Sequence, residues 1–436
     1  MTCAILTLGC KVNAYESEYI KEQFKTNNYN IVNIDDNPEV VVINTCTVTN
    51  QSDAKSRKVI RHAKKINPNA IIVVCGCAAE HHKENIIDTE IDILIGNYFK
   101  SKIVDFVNKY KEDGKKINTF VDMKNVGFED MKINNFLNKT RAFVKIQDGC
   151  NNFCSYCIIP FMRGTIRSKD IDVAYEEIKS LVNKGYQEIV LTGIHTGSYG
   201  TGESYDLVDL IRRISKFDKL KRIRISSIEI TELNEKFIDE LKTNKKICNH
   251  LHVPIQSGSN RILKLMNRKY TIEEYKNIIN KIRNVRPDIN FTTDLIVGFP
   301  TETEEDFIET YNNLKDIKFS KIHTFPYSKR NNTKAADMEQ VDEKIKKERV
   351  NIILKLSNEL ENNYYKLFKN KTLKVLIEET KDNVSIGHTD NYIKIFIEQK
   401  LLHNTFYDVK IQEIVNNEVK GIIETWFYYS FFILLL

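Results

Sequence analysis

No positively charged leader with a cleavage site opens this sequence. Met1-Thr2-Cys3-Ala4-Ile5-Leu6-Thr7-Leu8 runs straight into a strand pattern, so the expectation is a cytoplasmic protein that is not secreted. No apolar run reaches the roughly 20 residues that a helix needs to cross a bilayer. Trp426 to Leu436 is apolar and only about half that length. It is expected to end in a tail, residues 428–436, with no stable membrane association. Charge of either sign is not in marked excess: a net charge of +6 permits an RNA partner without requiring one. The nine cysteines are odd in number and lack disulfide-like spacing. They gather in short motifs, which fits a reducing compartment and metal ligation.

The densest of those motifs itself lacks something. Gly149-Cys150-Asn151-Asn152-Phe153-Cys154-Ser155-Tyr156-Cys157 sets three cysteines in a C-x3-C-x2-C pattern, with no fourth nearby. A 4Fe–4S cluster normally takes four thiolates, so three leave one iron open to hold a substrate or cofactor. The spacing is similar to the radical S-adenosylmethionine (SAM) signature, in which the open iron binds SAM and the cluster's electron cleaves it to a 5′-deoxyadenosyl radical. Zinc, the alternative, takes four N or S ligands, commonly from paired C-x2-C units. Here there is one such pair and no histidine at finger spacing.

The chain divides by pattern. Residues 1–120 alternate apolar strands (Ala4–Leu8, Val40–Asn44, Ile71–Val74) with helices (Glu16–Lys25, Ser52–Ile66), the texture of a parallel sheet. Residues 121–139 read as a polar linker. From 140 to 367 the alternation resumes, with strands at Glu188–Leu191, Arg222–Ile225, His250–Val253, Thr293–Val297 and Lys321–Phe325, fitting a complete or partial (β/α) barrel. Residues 368–427 change to short alternating strands such as Leu373–Ile377 and Tyr392–Phe396, a small β-barrel. The fold class is therefore α/β with an all-β end.

A second cysteine set lies in the first part. Cys10 follows the first strand, Cys46 the second, and Cys75 and Cys77 the third. In a parallel sheet the carboxyl ends of strands share one edge, where ligand sites form. Three loops thus deliver thiols to one place, with the choice between Cys75 and Cys77 open on spacing alone. Buried packing cysteines are the competing reading.

The motifs together resemble the methylthiotransferase family of radical-SAM enzymes over nearly the whole chain, and most closely the branch that modifies threonylcarbamoyladenosine in tRNA. The residues that carry the resemblance begin with Thr7-Leu8-Gly9-Cys10-Lys11-Val12-Asn13, Asn44-Thr45-Cys46-Thr47-Val48-Thr49 and Gly76-Cys77. They continue through Lys145 to Cys157, Leu191-Thr192-Gly193-Ile194-His195, Ser226-Ser227-Ile228-Glu229, Pro254 to Ser259 and Phe325-Pro326-Tyr327-Ser328-Lys329-Arg330. Lys11-Val12-Asn13 separates the chain from sister branches, which usually read Gln-Met-Asn or Pro-Lys-Asn there. The resemblance implies an auxiliary cluster on Cys10, Cys46 and Cys77, a SAM-cleaving cluster on Cys150, Cys154 and Cys157, and hence two 4Fe–4S clusters with SAM as cofactors. It makes the central part a radical-SAM partial barrel and the last part TRAM-like, with tRNA as partner and a flavodoxin- or ferredoxin-type electron donor. The sulfur source stays open. The implied reaction adds a methylthio group to carbon 2 of N6-threonylcarbamoyladenosine beside the anticodon. That aromatic C–H is neither acidic nor attached to a leaving group, so a carbon radical is needed, and the protein's task is to position reagents and exclude water. The alternatives are a methylthiotransferase acting on isopentenyladenosine and a non-catalytic iron–sulfur RNA-binding scaffold.

Other residues are placed by motif. Gly193 and Gln256, near expected strand ends, are candidates for SAM binding. Arg163 and Arg330 are candidates for reading the substrate carboxylate, since guanidinium pairs with carboxylate bidentately. Asn13 and Glu16 either shape the second cysteine site or cap the first helix, capping being the simpler reading. His195, His250 and His252 read as packing or hydrogen-bonding residues. From Asn370 onward there are 7 Lys and no Arg against 9 Asp and Glu, so the last part is acidic where a phosphate-gripping barrel is usually basic.

Overall fold

The computed structural model describes residues 1–86, 91–136 and 140–424; the expected apolar tail, 428–436, and the end of the expected linker, 137–139, lie outside them. The first part forms a six-stranded parallel sheet from β1 (Thr2–Thr7), β2 (Asn30–Ile31), β3 (Val40–Thr45), β4 (Ile71–Gly76), β5 (Ile93–Ile95) and β6 (Ile117–Thr119), ordered β2-β1-β3-β4-β5-β6. Alternate residues of a strand face opposite sides, and both sides are covered. Val40, Val42 and Val73 pack with Tyr15, Ile20 and Phe24 of α1 (Lys11–Thr26). Val41, Ile43 and Val74 pack with Ile60 and Ala63 of α2 (Asn50–Ile66). Helix α1 begins five residues before the expected Glu16, directly after Cys10, because Cys10 is itself the N-cap residue.

The central part begins with β7 (Arg141–Lys145). A two-stranded ribbon of β8 (Gln147–Asp148) and β9 (Arg167–Ser168) follows and closes the base of the 149–158 loop. Next come β10 (Glu188–Thr192), β11 (Arg222–Ile225), β12 (His250–His252), β13 (Asn290–Val297) and β14 (Lys321–Pro326). They pair in parallel as β11-β10-β7 and β12-β13-β14, with an isolated bridge between Ile223 and Ile247 on the seam. The last part is a closed barrel of β15 (Thr372–Lys381), β16 (Val384–Thr389), β17 (Lys394–Ile397), β18 (Phe406–Val415) and β19 (Glu418–Ile423), filled by Val375, Ile377, Ile395, Val409 and Ile411.

Two junctions differ from a bead-on-string arrangement. The segment 121–136 has no strand or helix, as its polar composition implies, yet it is a clamped strap. Met123, Met131, Ile133 and Phe136 are buried, and Met131 carbonyl oxygen accepts from Tyr15 (2.6 Å) and Lys169 (2.7 Å). The small barrel is docked on the central part by buried arginines. Glu188 accepts from Arg224 (2.7 Å) and pairs with Arg222 (3.4 Å). Those guanidiniums in turn donate to the carbonyls of Lys374, His388, Thr389 and Asp390. Among the described residues no helix is long and apolar enough to cross a membrane.

Candidate functional site

The carboxyl ends of β1, β3 and β4 bring Cys10, Cys46 and Cys77 together. Cys46 and Cys77 are buried and Cys10 is open to solvent, and the charge of each thiolate would weigh on the others. Gly9 makes the approach possible: at φ +101° a side-chain carbon there would lie 2.8 Å from Cys46 Cβ. Gly76, at φ +96°, is required for the same kind of reason, since its Cβ would sit 2.6 Å from Thr45 carbonyl oxygen. Cys77 is the first residue of α3 (Cys77–His82), so two of the three sulfurs stand at helix N-termini, where the backbone dipole favours a thiolate. Cys75 goes elsewhere: it lies within β4, fully buried among Val73, Val42 and Tyr15, and burial pushes its thiol up to about 12. Burial also raises Cys10 and Cys46, with Arg163 pulling Cys10 the other way. Metal uptake there must displace the protons.

Behind these cysteines lies a buried ionic network absent from any single motif. Arg163, at the end of α4 (Ile159–Arg163), donates to Glu16 Oε1 (3.0 Å), Asp148 Oδ1 (3.1 Å) and Asn13 Oδ1 (2.7 Å). Lys100 and Lys145 reach Glu16 at 2.5 and 2.9 Å, and Lys145 reaches Asp148 at 2.6 Å. The three cations outweigh the two carboxylates. They hold Glu16 well below the usual carboxylate range against its burial. Three expectations are corrected here. Asn13 and Glu16 are not caps: Asn13 donates to the carbonyls of Leu8 (2.7 Å) and Thr45 (2.9 Å), and Glu16 sits at the centre of the network. Arg163 does not face substrate, because its side chain is sealed and its terminal nitrogens are committed. Arg330 is corrected likewise: its guanidinium is held by Asp53 (2.7 Å), Asn50 (2.8 Å) and Thr47 (2.7 Å), behind the Cys46 loop.

The second set, Cys150, Cys154 and Cys157, is partly exposed on one loop. Each flank has a partner from far away in sequence. Arg268 donates to Cys154 Sγ at 3.5 Å and is itself gripped by Glu229. His195 Nδ1 lies 3.9 Å from Cys150 Sγ, and its Nε2 lies 2.6 Å from Glu232. Burial opposes charge on His195, yet these two partners push it up to about 10. Cys150 backbone N–H donates to Gly164 carbonyl oxygen (3.1 Å), so the residue after Arg163 tethers this loop while Arg163 backs the other site. Gly193 leaves room for Gln147, whose amide nitrogen donates to Gly149 carbonyl oxygen (2.7 Å) and whose oxygen accepts from His195 (2.7 Å). Gln256, at φ +62°, lines a chamber of about 240 Å³ with Tyr156, Cys157 and Asp294. That chamber shares Val48, Thr49 and Phe325 to Ser328 with a cleft of about 830 Å³ that reaches Cys10 and Cys46. His250 and His252 both hydrogen-bond Thr292, at 3.0 and 2.9 Å.

Sequence reasoning missed Lys100, Lys145, Asp148, Arg268 and Glu232 as parts of the site. Lys145, Asp148 and Glu229 did stand inside quoted motifs; Arg268 and Lys100 had no local signal.

The donor chemistry fits iron–sulfur ligation at both places: each gathers three cysteines, and behind the strand-end set a surplus of buried positive charge stands ready for an anionic group. Comparison with known proteins agrees. Residues 144–314 match the model described as Radical SAM superfamily, and residues 2–96 match Uncharacterized protein family UPF0004. Over 90% of both chains, the sequence is 45% identical to threonylcarbamoyladenosine tRNA methylthiotransferase MtaB of Bacillus subtilis. Over 91% of this chain and 96% of the relative, it is 40% identical to the protein of that name from Aquifex aeolicus. It is 36% identical to a tRNA-2-methylthio-N(6)-dimethylallyladenosine synthase of Clostridium tetani, over 96% of each chain. Among solved structures, the radical SAM methyltransferase TsrM of Kitasatospora setae superposes with a TM-score of 0.56 at 14% identity, over 77% of this chain and 76% of that one, a likeness of fold.

Proposed function

This chain belongs to the radical-SAM tRNA methylthiotransferases, and from that premise we propose that it adds a methylthio group to carbon 2 of N6-threonylcarbamoyladenosine beside the anticodon of tRNA. It is a SAM-dependent transferase carrying 4Fe–4S clusters. The observation that carries the two-cluster reading is the shared wall: the chamber at Cys157 and the cleft at Cys10 and Cys46 meet along Val48, Thr49 and Phe325 to Ser328.

Cys150, Cys154 and Cys157 would hold one cluster, and Cys10, Cys46 and Cys77 the other. When bound, the first with SAM supplies the radical-generating electron transfer, and the second supplies a place for sulfur. The chain's own residues do the positioning. Gln256 and Gly193 shape the SAM side, and Arg268 and His195 offer N–H groups to the cysteine sulfurs. Arg163, Lys100 and Lys145 supply the positive charge that a buried anionic cluster requires. The aromatic and apolar walls at Val48, Phe325 and Tyr327 exclude water and give a splayed base a surface to stack on. Lys55 and Lys329, exposed at the cleft, supply charge for RNA phosphate that the acidic C-terminal barrel does not. Free thiols throughout and the chemistry of reduced clusters support a cytoplasmic setting and a flavodoxin- or ferredoxin-type reductant.

The test is anaerobic incubation of reconstituted protein with SAM, a reductant and tRNA that carries threonylcarbamoyladenosine, followed by nucleoside mass analysis. The expected result is the methylthiolated nucleoside together with 5′-deoxyadenosine. Equal conversion of dimethylallyladenosine-bearing tRNA would overturn the substrate assignment, and absence of 5′-deoxyadenosine would overturn the enzyme assignment.

A further inference from the structure

Below the chamber at Cys157 lies a second, polar one of about 460 Å³ inside the central barrel. Asp294 lines both, so one carboxylate stands at the join. The floor is supplied by the C-terminal barrel: Tyr392, held at φ +66°, stacks on His250 and His388 with ring centres 4.9 Å apart. Arg224 lies 4.6 Å from the same ring. The cations around this space are spoken for, with one exception. Lys321 pairs with Glu361 (2.6 Å), Arg141 with Glu378 (3.0 Å) and Arg224 with Glu188 (2.7 Å). Lys11 lines the chamber, is exposed, and makes no hydrogen bond or ion pair among the described residues. It is also the residue after Cys10, which lines the cleft on the other side.

An ammonium without a hydrogen-bonded partner, at the mouth of a hydroxyl- and imidazole-lined pocket that shares Asp294 with the reaction chamber, is arranged for a carboxylate. Resting on the substrate reading above, we propose that this chamber receives the threonylcarbamoyl substituent of the target adenosine and that Lys11 pairs with its carboxylate. The adenine ring lies against the wall of Val48, Phe325 and Tyr327 shared with the cleft, and the N6 substituent passes Asp294 into the second pocket. There Asp294 accepts from the ureido N–H groups, and Ser226 and Thr292 offer hydroxyls to the threonyl oxygen. A dimethylallyl group brings no charge and would leave Lys11 unpaired, so the same contact selects between the two modified nucleosides. The role expected of Arg163 or Arg330 passes to a lysine that neither motif contains.

The experiment uses reconstituted holoenzyme and two anticodon stem-loops, one with threonylcarbamoyladenosine and one with its methyl ester, which keeps shape and removes the charge. The wild type should bind the acid about 30-fold more tightly than the ester, the scale of one charge-assisted hydrogen bond. Lys11→Met should compress that ratio to within about 3-fold, and Lys11→Arg should restore most of it, with iron content as the check on the neighbouring Cys10. A Lys11→Met protein that keeps the full acid-to-ester ratio overturns the proposal. Should the variants lose iron, amine-reactive footprinting of the wild type decides. Protection of Lys11 by the acid and not by the ester supports the pairing, and equal labelling with either bound excludes it. If the wild type binds the acid no better than a stem-loop with unmodified adenosine, the substrate reading itself fails, which is a separate result.

Discussion

The two cysteine sites solve one ligation problem in opposite ways. Cys150, Cys154 and Cys157 come from a single loop, residues 149–158, stay partly exposed, and have one distant side chain on each flank. Cys10, Cys46 and Cys77 come from the ends of three parallel strands, two of them buried. They are backed by five charged groups that join the first sheet to the central barrel. The first site is written in local sequence; the second exists only once the sheet is formed. It follows that the first should tolerate loss of the second, whereas damage behind the second should spread, because Arg163 and Gly164 touch both.

The sharpest way to separate them is to remove one sulfur from each. Cys154→Ala takes one of three ligands from the loop site. The expected outcome is loss of SAM cleavage and of all product, with iron falling by roughly half because the other cluster stays. Cys77→Ala should also abolish methylthio transfer but leave 5′-deoxyadenosine production detectable. Iron analysis and 5′-deoxyadenosine quantification check both; normal SAM cleavage by Cys154→Ala would undo the assignment of the loop. Cys75→Ala is the control within the strand site. That thiol packs in the sheet core, so the variant should turn over normally and lose only about 1 kcal/mol of stability in a denaturant melt.

The comparison also explains what could be read in advance. The C-x3-C-x2-C loop announces itself through spacing, and strands such as Val40–Thr45 and Ile71–Gly76 through their continuous apolar runs, whereas Asn290–Val297 shows only its last five residues, Thr293–Val297. The convergence of Cys10, Cys46 and Cys77 needed one further step, the shared edge of a parallel sheet. The short strands Ile93–Ile95 and Ile117–Thr119 carry too few apolar residues to stand out. The ionic network was invisible for a physical reason: Glu16 meets Lys100, Lys145 and Arg163 across 84, 129 and 147 residues. A motif around any one of them cannot specify its partner. Sequence alone therefore points Arg163 and Arg330 outward, toward substrate, whereas their carboxylate partners come from the protein itself.

A smaller but more diagnostic effect follows from the network. Removing one partner of a buried ion pair strands the others, which costs about 3–5 kcal/mol. Arg163→Met should lower the melting temperature strongly and reduce iron at the strand site, and loosen the loop site through Gly164. Arg163→Lys keeps the charge and loses the fork that reaches Glu16, Asp148 and Asn13 at once, so it should fall between. Neither should alter the preference for threonylcarbamoylated over dimethylallylated tRNA among the molecules that retain both clusters. A change in that preference with stability intact would return Arg163 to the substrate site.

The finest distinction lies in a matched pair of side-chain N–H donors, one at each site, that meet a sulfur at the same distance. Arg268 reaches Cys154 and Asn97 reaches Cys77, both at 3.5 Å, but the first donor is charged and the second is neutral. A donor to a thiolate stabilises the more reduced, more negative cluster and so raises its potential. A charged hydrogen bond is worth about 2 kcal/mol and a neutral one about 1 kcal/mol. With one electron, those correspond to roughly 90 and 40 mV. Arg268→Met should therefore lower the potential of the loop cluster by about 90 mV and slow SAM cleavage at a fixed reductant potential. Asn97→Leu should lower the other cluster by about 40 mV and leave SAM cleavage nearly unchanged. Redox titration followed by electron paramagnetic resonance resolves the two signals in one sample. If either variant moved both potentials equally, the sites would be coupled through the buried network and not tuned one by one.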